Sequence, residues 1–442
     1  MKKIIALLLV LVSVSQLLIG CGCQKKTDAI YYLNFKPEIA SVYTKIAQDY
    51  EKETGIPLRV VSAASGTYEQ TLKSEIAKKD APAIFQFNGP VGYRSWKSYC
   101  ANLADTDIYK HLNDNSIAMK DDNGVWGIPY VVEGYGIIYN KAITDAYLAL
   151  PNRNTTITSM DDIRSFAQFK SVVEDMSANK AALGIDGVFA STSLKPGEEW
   201  RWTTHLANVA LHYEFEKNNV DITDPSQIKE VSFMYGDNFK QLFDLYINHS
   251  TTDPKLLGSK QVSDSMSEFA LGKCAMVQNG NWAWSQIKDI QGNTVKENDI
   301  RMMPIFLGIE GENNQGICIG TENYLAINNK LPEEKQKAAA DFLYWLYSSD
   351  TGKSYVSNDL NFISPFDTFD VADRPNDPLS KEVMTWMDKE NTENIAWDFV
   401  VFPSQSFKDD FASALLQYAQ GTMTWSQAKQ VFIDSWKAES SK

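Results

Sequence analysis

Residues Ile30–Val61 read IYYLNFKPEIASVYTKIAQDYEKETGIPLRVV. The apolar run Ile30–Leu33 has the length of a buried strand. Across Ser41–Glu53, Tyr43, Ile46, Ala47 and Tyr50 recur at helical spacing and share one face, and Gly55 supplies the stop. Leu58–Val61 returns to strand. A turn at Ser65-Gly66, a helix over Thr67–Lys79 and a third strand over Ala83–Phe87 follow. Strands alternating with helices in this order need crossovers that cover both sheet faces. The expected fold class is therefore α/β, with a parallel, doubly wound sheet. Such sheets bind ligands beyond the carboxyl ends of their strands. That rule singles out three loops, Asn34–Glu38, Ala63–Tyr68 and Gln86–Pro90.

Further along, Ile137–Tyr139 opens a second block, with helices around Asp161–Ser177, Trp200–Tyr213 and Asn238–His249. Leu150–Thr158 is rich in turn formers and reads as surface. The stretch Gly272–Ile287, GKCAMVQNGNWAWSQI, carries the clearest ligand chemistry. Cys274–Val277 is an apolar run of strand length, and Asn279-Gly280-Asn281 is expected to break it. Trp282 and Trp284 come next. Indole faces beside amide side chains and bare glycine backbone complement a ring that is apolar on its faces and hydroxylated at its rim. The same pattern also suits a core tryptophan pair next to an ordinary turn. Strands at Ile300–Pro304 and Gly316–Ile327 and helices at Glu333–Tyr347, Phe407–Ala419 and Trp425–Ala438 complete the chain.

Three segments together carry a family resemblance: AMVQNGNWAWSQI, IPYVVEGYGIIYNKAI at Ile128–Ile143, and YYLNFKPE with DYEKETGIPLRVV in Tyr31–Val61. In order and spacing they resemble the family 1 extracellular solute-binding proteins of carbohydrate ABC importers, the family of maltose-binding protein. The resemblance implies a two-lobe, periplasmic-binding-protein-like fold of type II with a cleft between the lobes. It implies residues 29–132 and 285–328 in an N-terminal lobe, and 133–284 and 329–442 in a C-terminal lobe. The expected crossings lie near Val132, Trp284–Asn298 and Asn328, with the last helices on the second lobe. The expected partners are a mono- or oligosaccharide and the permease subunits, the expected state is a monomer, and no cofactor, metal or catalysis is expected.

The candidate sugar-contacting residues are Lys36, Ser65, Tyr68, Gln86, Asn88, Glu133, Tyr135, Trp200, Arg201, Asn279, Gly280, Trp282, Glu322 and Phe362. Each has a plainer reading. Lys36 suits a solvated surface, Ser65 and Tyr68 suit a helix start, and Glu133 suits a hinge ion pair. Trp202 and His205 share a helical face and suit the core. The chain departs from maltose-binding protein in two places. Gln86–Pro90 lacks the acidic and basic pair of that loop, and Phe402–Asp410 lacks its cleft tryptophan.

The N-terminus stands apart. Lys2-Lys3 precede an apolar stretch, Ile4–Ile19, and Leu18-Ile19-Gly20-Cys21 resembles a bacterial lipobox. Residues 1–20 are then a lipoprotein signal peptide, Cys21 carries lipid outside the cell membrane, and residues 21–28 form a tether. The alternatives are a plain secretory signal or an anchor helix, but the stretch is short against the ~20 apolar residues of a span. Losing Lys2 and Lys3 moves the formal charge from −14 to −16, which disfavours nucleic acid or an anionic membrane surface as partner.

Beyond Cys21 and Cys23, Cys100, Cys274 and Cys318 read as buried thiols, with a Cys274–Cys318 bridge left open. The four histidines form no HExxH, and there is no CxxC, P-loop or GxSxG. Three rival functions remain: a binder of peptide, polyamine or metal chelate, a glycosidase whose carboxylate pair is assembled by the fold, and a lipid-anchored adhesin.

Overall fold

The structure is a computed structural model that describes residues 29–64, 66–222 and 225–441. Its described strands are β1 (Ile30–Asn34), β2 (Leu58–Ser62), β3 (Ile84–Asn88), β4 (Met119–Asp121), β5 (Gly124–Pro129), β6 (Glu133–Asn140), β7 (Gly187–Phe189), β8 (Cys274–Gly280), β9 (Ile300–Met303), β10 (Gln315–Gly320), β11 (Asn323–Ile327) and β12 (Glu393–Ile395). They form two sheets. The first runs β2-β1-β3-β11-β5-β4, and the second runs β12-β10-β6-β8-β7 with β9 added to β6. β1 pairs parallel with β2 and β3, as the opening βαβαβ pattern requires. The strand that closes β3, β11, runs antiparallel to it.

Each sheet is covered on both faces. Along β1, Ile30 and Tyr32 join one core with the helix Glu333–Ser348, while Tyr31 and Leu33 join another on the opposite face. This is the period-two alternation of a strand buried on both sides. The second sheet likewise separates one large aromatic core from a smaller one containing Ile138, Val277 and Trp284. Two lobes with their own cores result. Among the described residues no helix is long and apolar enough to cross a membrane.

The lobe boundaries differ from the sequence expectation. Residues 300–320 lie in the second lobe, because β9 and β10 both pair antiparallel with β6. The strand stretch Gly316–Ile327 is interrupted after Gly320, and the chain changes sheets at Thr321-Glu322. The helix Glu333–Ser348 packs on the first lobe, burying Phe342, Leu343, Leu346 and Tyr347 against β1 and β11. Phe362 and Phe366 stay in that core, and by Leu379 the chain is back in the second. The final helices, Gln405–Ala419 and Trp425–Ser440, bury Phe407, Phe411, Phe432 and Trp436 in the second-lobe core.

Two local expectations are also corrected. The strand Cys274–Val277 extends to Gly280, because Asn279 and Gly280 pair with Gly136 and Tyr135 of β6 instead of turning. The second helix is shorter than expected, Tyr68–Glu75. Cys100, Cys274 and Cys318 are buried free thiols, so no Cys274–Cys318 bridge forms. Cys21, the signal segment and Ser65 lie outside the described residues.

Candidate functional site

The two lobes meet along a seam built from strand ends. Just past β1, the Lys36 amine lies 2.8 Å from Oε1 of Glu133, the first residue of β6, and donates to Oε2 at 3.0 Å. Both residues are buried. Burial alone would pull the Lys36 amine down, but the carboxylates of Glu133, Glu38 and Glu322 together outweigh it and hold the amine above its ordinary value. The pair lines a small cavity together with Glu38 from the first lobe and Asn281 and Trp282 from the second. Burial pushes the Glu38 and Glu322 carboxyls up. Half-buried Lys408 is lowered by burial, against the fields of Glu322 and Glu69 from one lobe and Asp409 and Glu199 from the other.

Two glycines let the backbones touch across this seam. A Cβ on Gly66 would meet the Gly197 carbonyl oxygen at 2.9 Å, and one on Gly89 would meet Val400 Cβ at 2.7 Å. Both have positive φ, +70° and +54°, which glycine adopts without strain. A side chain at either place would prop the lobes apart.

The second lobe presents an aromatic wall. Tyr135 stacks flat on His205 at 3.9 Å, and Trp200 meets His205 edge-on at 4.8 Å. Trp282 lies 5.9 Å from Trp200, 5.6 Å from His205 and 6.3 Å from Trp397. Trp200 and Trp282 are half-buried, so part of each ring remains free. Trp282 is fixed from behind: its Nε1 donates to Asn279 Oδ1 at 2.9 Å, and its ring lies so close over Gly280 that a Cβ there would meet it at 2.2 Å. Asn281 ties the turn down, accepting from the Gly134 amide at 3.1 Å and donating to Ser380 Oγ at 3.2 Å. The free indole faces supply apolar area, and several polar groups along the wall are buried without a partner. These are all three Arg201 nitrogens, His205 Nδ1, both Gln278 amide atoms and Trp397 Nε1. Buried polar groups are ordinarily satisfied, so a concentration of exceptions marks a place built to meet something else.

Against this geometry the sequence candidates divide. Lys36, Glu133, Trp200, Arg201, Trp282 and Glu322 lie at or beside the seam. Asn279, Gly280 and Tyr135 lie behind the wall and hold it, Tyr135 by donating to the His205 carbonyl at 3.2 Å. Tyr68 and Gln86 are turned into the first lobe, which corrects their expected place. Tyr68 Oη donates to the Leu33 carbonyl at 3.3 Å and accepts from the Gln86 amide at 2.7 Å. The Gln86 side chain accepts from the Phe35 amide at 2.5 Å and donates to Tyr130 Oη at 2.6 Å. Their hydrogen-bonding capacity is spent within the lobe. Phe362 packs on Tyr130 in the first-lobe core and only borders the cavity, while Asn88 ends β3 half-buried with its Oδ1 unpartnered.

Sequence reasoning missed Trp397, Glu38, Asn281 and Lys408, and it read His205 as core. The only local sign of Trp397 is the aromatic alternation of Trp397-Asp398-Phe399. A larger open groove has Arg164, Trp386 and Lys389 in its lining, but only second-lobe residues form it.

A two-lobe α/β protein with a polar seam and one aromatic wall belongs to the class of binding proteins that take a solute between their lobes. More particularly, the chain belongs to the bacterial extracellular solute-binding protein family, whose profile matches residues 45–382. It is similar to the multiple sugar-binding protein of Streptococcus mutans, 23% identical over 405 residues that cover 87% of each chain. In structure it resembles a chitin oligosaccharide binding protein, with a TM-score of 0.70, 19% identity and coverage of 94% of this chain and 100% of the other. It also resembles the solute-binding protein RafE in complex with raffinose, with a TM-score of 0.66, 19% identity and coverage of 92% and 99%.

The segment bearing Trp397 is anchored by a titratable pair. Asn208 Nδ2 donates to the Ala396 carbonyl at 2.9 Å and its Oδ1 accepts from the Phe399 amide at 2.7 Å, while His212 Nδ1 lies 2.7 Å from Asp398 Oδ2. Burial lowers the His212 imidazole, but Asp398 outweighs it and the net shift is upward. A group raised above its unfolded value, about 6.5, stabilises fully below that pH and loses this contribution as pH rises through the folded value. Denaturant unfolding should therefore show His212→Asn costing more at about pH 6 than at about pH 8.5. An equal cost at both pH values would contradict the pairing.

Proposed function

We propose that this protein captures a sugar or oligosaccharide outside the cell membrane and delivers it to the permease of an ABC importer, working as a lipid-anchored monomer. The observation that carries the reading is the wall of Trp200, His205, Trp282 and Trp397 beside unpartnered buried polar groups. Sugar rings stack on indole faces, and their hydroxyls satisfy amide, carboxylate and backbone groups at the rim. A group left unpaired on binding the wrong epimer costs about 1–3 kcal/mol, enough for roughly ten- to hundredfold discrimination. The names of the relatives point the same way: one is called a multiple sugar-binding protein, and others are described with chitin oligosaccharide and raffinose.

In this reading the lobes open and close about the crossings at Val132, at Thr321-Glu322 and between Phe366 and Leu379, and the sugar favours the closed state by touching both sides. Lys36 and Glu133, paired across the seam, exchange part of their mutual contact for sugar hydroxyls. The protein performs no chemistry on its ligand.

Calorimetry against a panel of oligosaccharides should find a ligand, and Trp282→Ala should weaken it at least about tenfold by removing the stacked face. Unchanged affinity in that variant would take Trp282 out of the site. For the anchor, radiolabelled palmitate fed to the native host should be incorporated into the wild-type protein, and Cys21→Ser should lose the label and appear in the medium. A variant that stays labelled and membrane-bound would refute attachment at Cys21.

A further inference from the structure

Arg201 is the group in the wall that the reading so far leaves unexplained. It is 1% exposed, and Nε, Nη1 and Nη2 all lack a hydrogen-bond partner. Buried guanidinium groups are ordinarily paired, since an isolated buried charge is strongly unfavourable. Its plane is held against the Trp200 ring, with Cζ 3.8 Å from the centroid, so its position is fixed without any carboxylate. Burial pulls its pKa to about 9, which leaves it charged at neutral pH.

The acids whose fields reach it are Glu198 and Glu38. Glu198 is committed elsewhere: it accepts from the Val262 amide at 2.6 Å and has Lys195 at 3.8 Å. Glu38 sits on the opposite lobe, lining the cavity. No ion pair within the second lobe neutralises Arg201 among the described residues. The unpartnered groups along the wall add donor capacity more than acceptor capacity, with Trp397 Nε1 able only to donate. Trp200, which backs the guanidinium, has its ring centroid 5.9 Å from that of Trp282, and Trp282 lines the cavity between the lobes.

We propose that Arg201 reads an anionic substituent on the captured saccharide, a carboxylate or sulfate ester whose oxygens it takes at two N–H groups. This rests on the sugar-binding reading and narrows it to acidic saccharides. The fork of a guanidinium matches such oxygen pairs, which a lysine in its place would meet only as a point charge. A neutral hydroxyl can accept hydrogen bonds but leaves the charge uncompensated. Trp200 then has two tasks: it backs the guanidinium and offers its remaining area to the sugar ring.

The test is calorimetry on the whole protein with matched ligand pairs: galacturonate, glucuronate and mannuronate oligosaccharides against their methyl esters, and sulfated against unsulfated disaccharides. At least one acidic member should bind about tenfold or more tighter than its neutral counterpart. The arm in which that happens identifies the oxyanion. Arg201→Gln should erase the difference between the acidic and the neutral member, and Arg201→Lys should retain part of it. Thermal unfolding of each variant checks the fold. Should Arg201→Gln not fold, the wild-type comparison and its salt dependence decide alone, because only the acidic member should weaken as salt is added. Neutral members that bind as tightly as acidic ones would overturn the assignment and leave the sugar reading standing. Failure of every saccharide, acidic or neutral, would overturn both.

Discussion

A charged pair sealed between two separately built cores governs the molecule. Lys36 and Glu133 lie 2.8 Å apart, one at the end of the first strand of the first sheet and the other at the start of the central strand of the second. Removing either partner of such a pair costs roughly 3–5 kcal/mol, because the other is left charged and buried. Taking both into water as the lobes separate costs far less, since water replaces each partner. The seam is therefore firm when closed and tolerant of opening. The lobes differ in kind from the seam, since each has its own apolar cores on both faces of its sheet.

The wall beside that pair shows how rigidity and adhesion are separated. Residues that hold are fully buried and spend their polar atoms inward: Asn279 on Trp282, Tyr135 on His205, Asn281 on Gly134 and Ser380. Residues that can touch a ligand keep some surface or some hydrogen-bonding capacity free, as Trp200, Trp282 and Arg201 do. Glycine serves both ends, admitting the Trp282 ring at Gly280 and letting the lobes meet at Gly66 and Gly89.

How much of this was legible in the sequence depended on the range of the interaction. The opening strands and the helix after them follow from periodicity, because burial on one face or both leaves a local pattern, and the structure has them within a residue or two. Which sheet a helix covers leaves no such pattern. The apolar face of Glu333–Ser348 announces that it packs, but only the crossing at Thr321-Glu322 sends it to the first lobe. The site divides in the same way. Trp282 could be read from its neighbours, whereas Trp397 joins the wall through contacts with residues more than a hundred positions away. Tyr68 and Gln86 lie in segments that lead to the cleft loops, yet hydrogen bonds within the first lobe turn both side chains inward. The orphaned nitrogens of Arg201 are a property of the assembled fold alone.

The central claim is that two lobes with separate cores close on a saccharide at this seam. Small-angle X-ray scattering of the protein, free and saturated with a ligand found by calorimetry, tests it most directly. The account requires the bound form to match the scattering of the closed structure and the free form to have a larger radius of gyration. Identical curves for the two, with the ligand demonstrably bound, would contradict it.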